Sequence, residues 1–493
     1  MSTVKKRRDR DRLRSLARKA MIEHGLVPDF PKAALAELDT IQDPATSPEA
    51  TGLVDSRNVL WCSLDNDDSL DLDQLTAAEA LENGRVRILI AIADVDAVVK
   101  KQSAIDLHAQ QNTSSVYTAP EVFSMLPEKL STDITSLNFE SDRMAVVVAI
   151  EIADDGSVLN STFYRALVRN KARLSYSSVA AWLDGKGSIP AEIAAVKGME
   201  KNLRLQESTA TKMRLLRHMH GALVLDTIEA KPVFSGNTLM DIVPDARNRA
   251  KEIIEDFMIA ANSVTAKYLT SKNYVSIRRV VSSPKRWDRI VSLAAKLGTV
   301  LPAQPNSIAL ENFLVSSQKA DPLRFPDLSL SVIKLLGSGE YVVQLPGSSV
   351  EGHFGLAVKN YTHSTAPNRR YPDLITQRIL KAAIAGRPAP YSTEELKALA
   401  EHCNTTENTV NKVERQLVKS AAAILLEARI GEQFDAIVTG AADKGTWVRI
   451  MNPPLEGRLS SGYVGLDVGD TLRVQLTSTN IKRGFIDFKR VER

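Results

Sequence analysis

The chain has 493 residues, 44% hydrophobic and 25% charged, the composition of a soluble globular protein too long for one small core. Its formal net charge of +4 is too mild to imply nucleic acid by itself, and its two cysteines, Cys62 and Cys403, exclude a disulfide framework and a zinc ribbon. No apolar run is long enough to span a bilayer and no signal-peptide core follows the basic start, so a cytoplasmic protein without a disulfide-linked partner is expected.

Residues 1–50 read as a polar, mostly helical segment. It is strongly basic at Lys5-Lys6-Arg7-Arg8-Asp9-Arg10-Asp11-Arg12, continues through Arg14, Arg18 and Lys19, and ends in the loop Asp43-Pro44-Ala45-Thr46-Ser47-Pro48. Such a tail either touches phosphates or merely solubilises a terminus.

The apolar run Val59-Leu60-Trp61-Cys62-Ser63-Leu64 reads as a buried strand. It leads into Asp65-Asn66-Asp67-Asp68-Ser69-Leu70-Asp71-Leu72-Asp73-Gln74, where five carboxylates fall within nine residues. Like charges so close resist joint ionisation, and a hard divalent cation, Mg²⁺ or Mn²⁺, would relieve that cost. A solvated turn is the plain alternative. A calcium loop of the EF-hand type is excluded, because Leu70 stands at the turn position that needs Gly and Thr76 where the closing Glu belongs.

Arg85–Val95 and Met144–Ile152 read as central strands, the first apolar on both faces. Asn248–Leu269 has helical periodicity with Ile253, Ile254, Phe257, Met258 and Ala261 inward. Tyr371–Ala385 is a second helix, with Pro372 in its first turn and Gly386 at its end. Ser392 and Glu395 make a capping box that opens a long helix toward Arg429. From Gly431 onward, five short alternating segments separated by Gly, Asn, Pro and Asp suggest a small β-barrel of the OB type. Such barrels often bind single strands, and Phe434, Trp447, Arg449 and Arg458 are candidates for the binding face. The expected units are 1–50, an α/β (α+β) region 51–430 and a barrel 431–493.

Beyond the aspartate loop, Ala91-Ile92-Ala93-Asp94-Val95, Tyr117-Thr118-Ala119-Pro120 with Met125-Leu126-Pro127 and Leu130-Ser131, Ile254–Asn262 and Tyr361–Asp373 each match a separate motif. Together they resemble the RNB catalytic domain of the ribonuclease II family, with Ala91 where His is usual; the barrel is similar to the family's ribosomal S-one-type OB domain. The two cold-shock-type barrels common at family N termini have no counterpart, so a short form is expected.

The resemblance implies Mg²⁺-dependent hydrolysis of single-stranded RNA from its 3′ end, with release of nucleoside 5′-monophosphates, by a protein expected to be monomeric. The family's four acidic positions fall on Asp65, Asp71, Asp73 and Gln74, so three aspartates are assigned to the metal and Gln74 is a departure. Gln carries no charge and cannot act as a base, so a second metal should bind more weakly unless Asp67 or Asp68 compensates. Tyr117 matches an aromatic that stacks on a base, and Arg369 a phosphate-contacting arginine. Arg370 either faces solvent or pairs with an acid, and Asn368 replaces the usual Ile. Glu414 matches a residue that sets the terminal nucleotide's position, and Glu255 and Asp256 are implied ribose contacts. Trp447 and Arg449 remain the barrel's RNA candidates. The rival readings are an RNA-binding protein that lost catalysis through Gln74 and, more weakly, an endonuclease or DNA-directed nuclease.

Overall fold

The computed structural model describes residues 8–42, 53–227, 229–245, 247–442 and 445–491. Lys5, Lys6, Arg7 and the loop Asp43–Pro48, singled out in the sequence, lie outside the described residues. The chain starts with helices α1 (Asp9–Glu23) and α2 (Lys32–Thr40). A mixed sheet follows, built from β1 (Val54–Asp55), β2 (Cys62–Asp65), β3 (Gln74–Ala80) and β4 (Val86–Ala93), then β7 (Asp142–Ile152), β8 (Val158–Arg169) and β9 (Ala172–Ser175). Helix α3 (Ala104–Asn112) and the small hairpin β5 (Val116–Tyr117)–β6 (Val122–Phe123) are inserted after β4. The seven strands run in the order β1-β8-β7-β4-β3-β2-β9, parallel at β1–β8 and β2–β9 and antiparallel elsewhere.

Next come α4 (Tyr176–Leu183), α5 (Ala191–Ala194), α6 (Met199–Met219), the hairpin β10 (Glu229–Ser235)–β11 (Thr238–Asp245) and α7 (Arg249–Ser271). Strands β12 (Ser276–Val280) and β13 (Glu340–Gln344) pair across a helical insert of α8 (Trp287–Lys296), α9 (Ser307–Ala320) and α10 (Phe325–Leu336). Helices α11 (Tyr371–Ile384) and α12 (Thr393–Glu427) lead to the barrel strands β14 (Gln433–Ala442), β15 (Gly445–Ile450), β16 (Glu456–Ser461), β17 (Thr471–Asn480) and β18 (Phe485–Arg490).

The apolar pattern of β4 explains the layering. Ile88, Ile90 and Ile92 point to one side and meet Met213 of α6 and Phe257 of α7. Leu89, Ala91 and Ala93 point to the other and join Leu374, Ile375 and Ile379 of α11. The centre of the sheet is thus buried on both faces at β4, and Ala91 sits fully inside the second layer.

The helix signals hold. Asn248 caps α7 by accepting the Lys251 N–H, and Ser392 caps α12 by accepting the Glu395 N–H at 3.1 Å. At 35 residues α12 spans two cores. Leu396 and Leu399 join the core around α11, whereas Val413, Leu417 and Ala421 join the barrel core.

The barrel closes in the order β14-β15-β16-β18-β17. Val448, Ile450, Val474 and Phe488 fill it, and Gly457 is required because a Cβ there would stand 2.5 Å from the Phe488 ring. Phe434, a candidate for the binding face, is a core residue instead, edge-on to Phe488 at 6.2 Å between ring centroids.

The described part of the basic start is also docked rather than free. Leu13, Ala17, Ala20 and Met21 of α1 are buried in the same core as α12 and the barrel. Asp9 accepts the Leu239 N–H, Arg14 pairs with Glu121 at 2.9 Å, and Arg18 pairs with Asp29. Among the described residues, no helix is long and apolar enough to cross a membrane.

Candidate active site

The aspartate loop hangs between the end of β2 and the start of β3. Leu72 anchors it in the core, and the Ser136 hydroxyl accepts the Leu72 N–H at 2.9 Å and donates to the Leu70 carbonyl at 2.8 Å. Arg173 donates to the Ser69 carbonyl at 2.6 Å. These straps force Asp71 and Asp73 toward the segment before α11. That segment is shaped by Asp373, whose carboxylate accepts the N–H groups of Thr365 and Ala366 and a hydrogen bond from Arg370 at 2.8 Å. Arg370 is therefore paired with an acid, the second of its two expected fates.

Asp73 is 1% exposed. Its Oδ1 accepts the Asn368 N–H and its Oδ2 the Arg369 Nε–H, both at 3.0 Å. Burial pushes the Asp73 carboxyl up to about 7; Arg369 pulls it down and Asp71 adds to the rise. Asp71, only part-buried, is also raised, chiefly by desolvation, with Arg369 opposing and Asp65 contributing. Burial works against the Arg369 charge, but Asp73 overrides it and holds the guanidinium firmly protonated. The three aspartates and Arg369 thus form one electrostatic cluster.

Tyr117 stands over it, 44% exposed, with its hydroxyl donating to Asp71 at 3.3 Å. The Ser115 N–H donates to the Arg369 carbonyl at 3.0 Å, which brings β5 alongside. Glu414 accepts the Tyr117 N–H at 2.7 Å from α12. Two residues that the sequence left 297 positions apart are therefore one unit, the glutamate bracing the aromatic.

Other expected residues lie elsewhere. Glu255 pairs with Arg247 at 3.0 Å, and Asp256 is buried against Arg217 and Arg214 of α6. Arg449 is taken bidentately by Asp327 of α10 at 2.9 and 3.0 Å, so it ties the barrel to the helical insert. Trp447 is half-buried on β15, opposite Arg458 of β16. Asp67 accepts from the Ser177 hydroxyl and Asp68 faces Lys231, so neither turns to the cluster to replace the missing fourth carboxylate. Gln74 opens β3, buried opposite Ile92.

Tyr176 escaped the sequence reading. Its hydroxyl is raised first by burial and then by the charge of Asp65, with Arg369 opposing, which places it at the cluster's edge. The signal is the register Asp65↔Ser175 between β2 and β9, a parallel pairing invisible in the sequence. Together with Asn66, Ser177 and Lys231 it lines a cleft of about 400 Å³ beside the loop.

The donor set suits a hard cation, because Asp65 and Asp71 are part-exposed carboxylates in mutual repulsion. Among the described residues, however, no three His, Cys, Asp or Glu side chains stand close enough to form a metal cage. What the geometry fits is a hydrated ion on one or two carboxylates, the manner in which Mg²⁺ is usually held.

A profile of the RNB domain matches residues 53–386, and one of the RNase II-type exonuclease C-terminal S1 domain matches residues 432–491. Ribonuclease R 1 of Lactococcus lactis is 29% identical over 439 residues, covering 87% of this chain and 52% of that protein. The chain spans about half to three quarters of the length of the curated relatives it matches. The apo form of Mycoplasma genitalium RNase R superposes with a TM-score of 0.87 at 22% identity, over 98% of this chain and 78% of that one. Yeast Ssd1, described as a pseudonuclease, shares the fold with a TM-score of 0.72 at 15% identity, over 90% of this chain and 55% of that one.

Proposed function

This chain belongs to the ribonuclease II (RNB-domain) family, and on that premise we propose that it is a divalent-metal-dependent exoribonuclease. It removes nucleoside 5′-monophosphates from the 3′ end of single-stranded RNA. The observation that carries this reading is the convergence of Asp65, Asp71, Asp73, Arg369 and Tyr117 on one part-exposed cluster.

In the reaction, water forms the new bond to phosphorus. The bond from phosphorus to O3′ of the penultimate nucleotide breaks, and that oxygen takes up a proton. A divalent ion, Mg²⁺ or Mn²⁺, supplies charge neutralisation at the phosphodiester and activation of the attacking water. Asp65 and Asp71 are the residues that would hold it. Arg369 keeps its Nη groups free of Asp73, since only Nε is hydrogen-bonded there, and the fork is suited to a phosphate. Tyr117 presents its ring for stacking on a base, with both ends fixed by Asp71 and Glu414. Tyr176 lies at the cluster's edge beside Asp65, in the cleft it shares with Asn66, Ser177 and Lys231. Trp447 and Arg458 give the barrel a stacking and cationic surface for the upstream strand.

Gln74 favours one second reading, an RNA-binding protein without turnover. The test is a time course on 5′-labelled single-stranded RNA with Mg²⁺ or Mn²⁺. Stepwise shortening by the wild type supports the nuclease. Shortening only by Gln74→Asp supports the binding protein.

A further inference from the structure

Two of the departures from the family pattern, Gln74 and Asn368, are 294 positions apart in the chain yet meet at one carboxylate. Gln74 is the neighbour of Asp73, and the Asn368 N–H is one of its two donors. The Asn368 side chain is itself 1% exposed and locked by the Thr135 hydroxyl at 2.5 Å, so the backbone that grips Asp73 is fixed from behind. Both Asp73 oxygens are occupied, and at 1% exposure there is no room beside it for the water shell that Mg²⁺ retains. Asp65 and Asp71 are part-exposed, and among the described residues each has hydrogen bonds to one oxygen only: Asp65 Oδ1 accepts from the Asn66 N–H and the Ser69 hydroxyl, and Asp71 Oδ2 from the Tyr117 hydroxyl. Gln74 brings no charge, and Asp67 and Asp68 are turned to Ser177 and Lys231. Arg369, whose side chain is 41% exposed, is the cation that the protein itself supplies.

We propose that the site takes one divalent ion, between Asp65 and Asp71, and that Asp73 is a positioning residue that anchors Arg369 where a second ion would otherwise neutralise the phosphate. The inference rests on the nuclease reading above and adds to it the ion count and the role of Asp73. In a two-ion site one metal activates the attacking oxygen and the other stabilises the leaving one. Here the guanidinium, held by Asp73 through Nε alone, takes the second task as a fixed charge.

The test is the stoichiometry of Mn²⁺ binding to the full chain, by titration calorimetry and electron paramagnetic resonance, with Mn²⁺ alone and with a 2′-O-methylated single-stranded RNA. One ion per chain with the spectrum of an isolated Mn²⁺ is expected. Asp65→Asn and Asp71→Asn should weaken Mn²⁺ binding by about a hundredfold or more. Asp73→Asn removes only a neighbouring charge and should weaken it by less than about tenfold. In the same variant kcat should collapse while the KM for RNA barely moves, a split that general loosening of the fold would not give. Two ions per chain, a spin-coupled pair, no ion at all, or an Asp73→Asn defect in Mn²⁺ binding equal to that of Asp65→Asn overturns the proposal. The wild-type count needs no variant to fold. RNA shortening followed in the same preparation separates the outcomes: two ions with shortening removes this inference alone, and one ion without shortening removes the nuclease reading.

Discussion

At the residue scale, the site depends on side chains whose partners are remote in sequence. Asp65, Asp71 and Asp73 stand out in the sequence because their carboxylates crowd one short loop, whereas Tyr117 and Arg369 are legible only through the motifs that resemble the family's. The bracing of Tyr117 by Glu414 and the strap at Ser136 are not legible, because each depends on a contact across the sheet or to α12. Tyr117→Ala removes the exposed ring but leaves the Glu414 bond to the backbone, so binding of single-stranded RNA should weaken by about 10- to 100-fold without loss of fold. Filter binding checks this, and unchanged affinity would take the tyrosine out of the substrate path. Asp256 offers a second check on the charges. Burial raises its carboxyl from 3.8 to about 6, with Arg217 and Arg214 opposing. Between about pH 4 and 6 the unfolded chain has released this proton and the folded one still holds it, so stability falls as pH rises through that window. Relative to Asp256→Asn, the wild-type melting temperature should therefore drop from pH 4 to pH 6 and run parallel above it. A rise across that window would contradict the placement of Asp256.

At the element scale, caps and periodicity define α7, α11 and α12 to within a residue or two, because Asn248, Pro372 and Ser392 act on their own first turns. Docking between elements is where the sequence is silent. The opening segment reads as a basic tail, yet α1 buries an apolar stripe against α12, and its arginines Arg14 and Arg18 are matched by Glu121 and Asp29. Phe434 and Arg449 read as RNA-facing, yet one fills the barrel and the other is spent on Asp327. Only the fold brings α10 to β15. That ion pair is 5% and 11% exposed, so removing one partner strands a buried charge. Asp327→Ala should cost about 3 kcal/mol of stability, and Asp327→Leu with Arg449→Met should recover most of it. Denaturant unfolding measures both, and a neutral Asp327→Ala would mean that this ion pair does not hold the barrel to the helical insert.

At the scale of the molecule, one long helix and one loop set the relation of the parts. Helix α12 carries Glu414 to the site midway along its length and enters the barrel core with its last turns. The aspartate loop closes the sheet's end against the turn that precedes α11. The α/β class and the five-stranded barrel are legible because strand alternation and apolar runs report burial directly, whereas the convergence of residues 65–73, 117 and 369 requires the tertiary fold. The central claim is that this convergence cuts RNA. The direct measurement is the shortening of 5′-labelled single-stranded RNA by the wild type and by Asp73→Asn in Mg²⁺. The expected result is a descending ladder with release of mononucleotides by the wild type, and at least a hundredfold slower cleavage with RNA binding retained in the variant, about what losing an oriented charge costs. A wild type that leaves the RNA intact at every Mg²⁺ or Mn²⁺ level, or a variant that cuts as fast as the wild type, would contradict it.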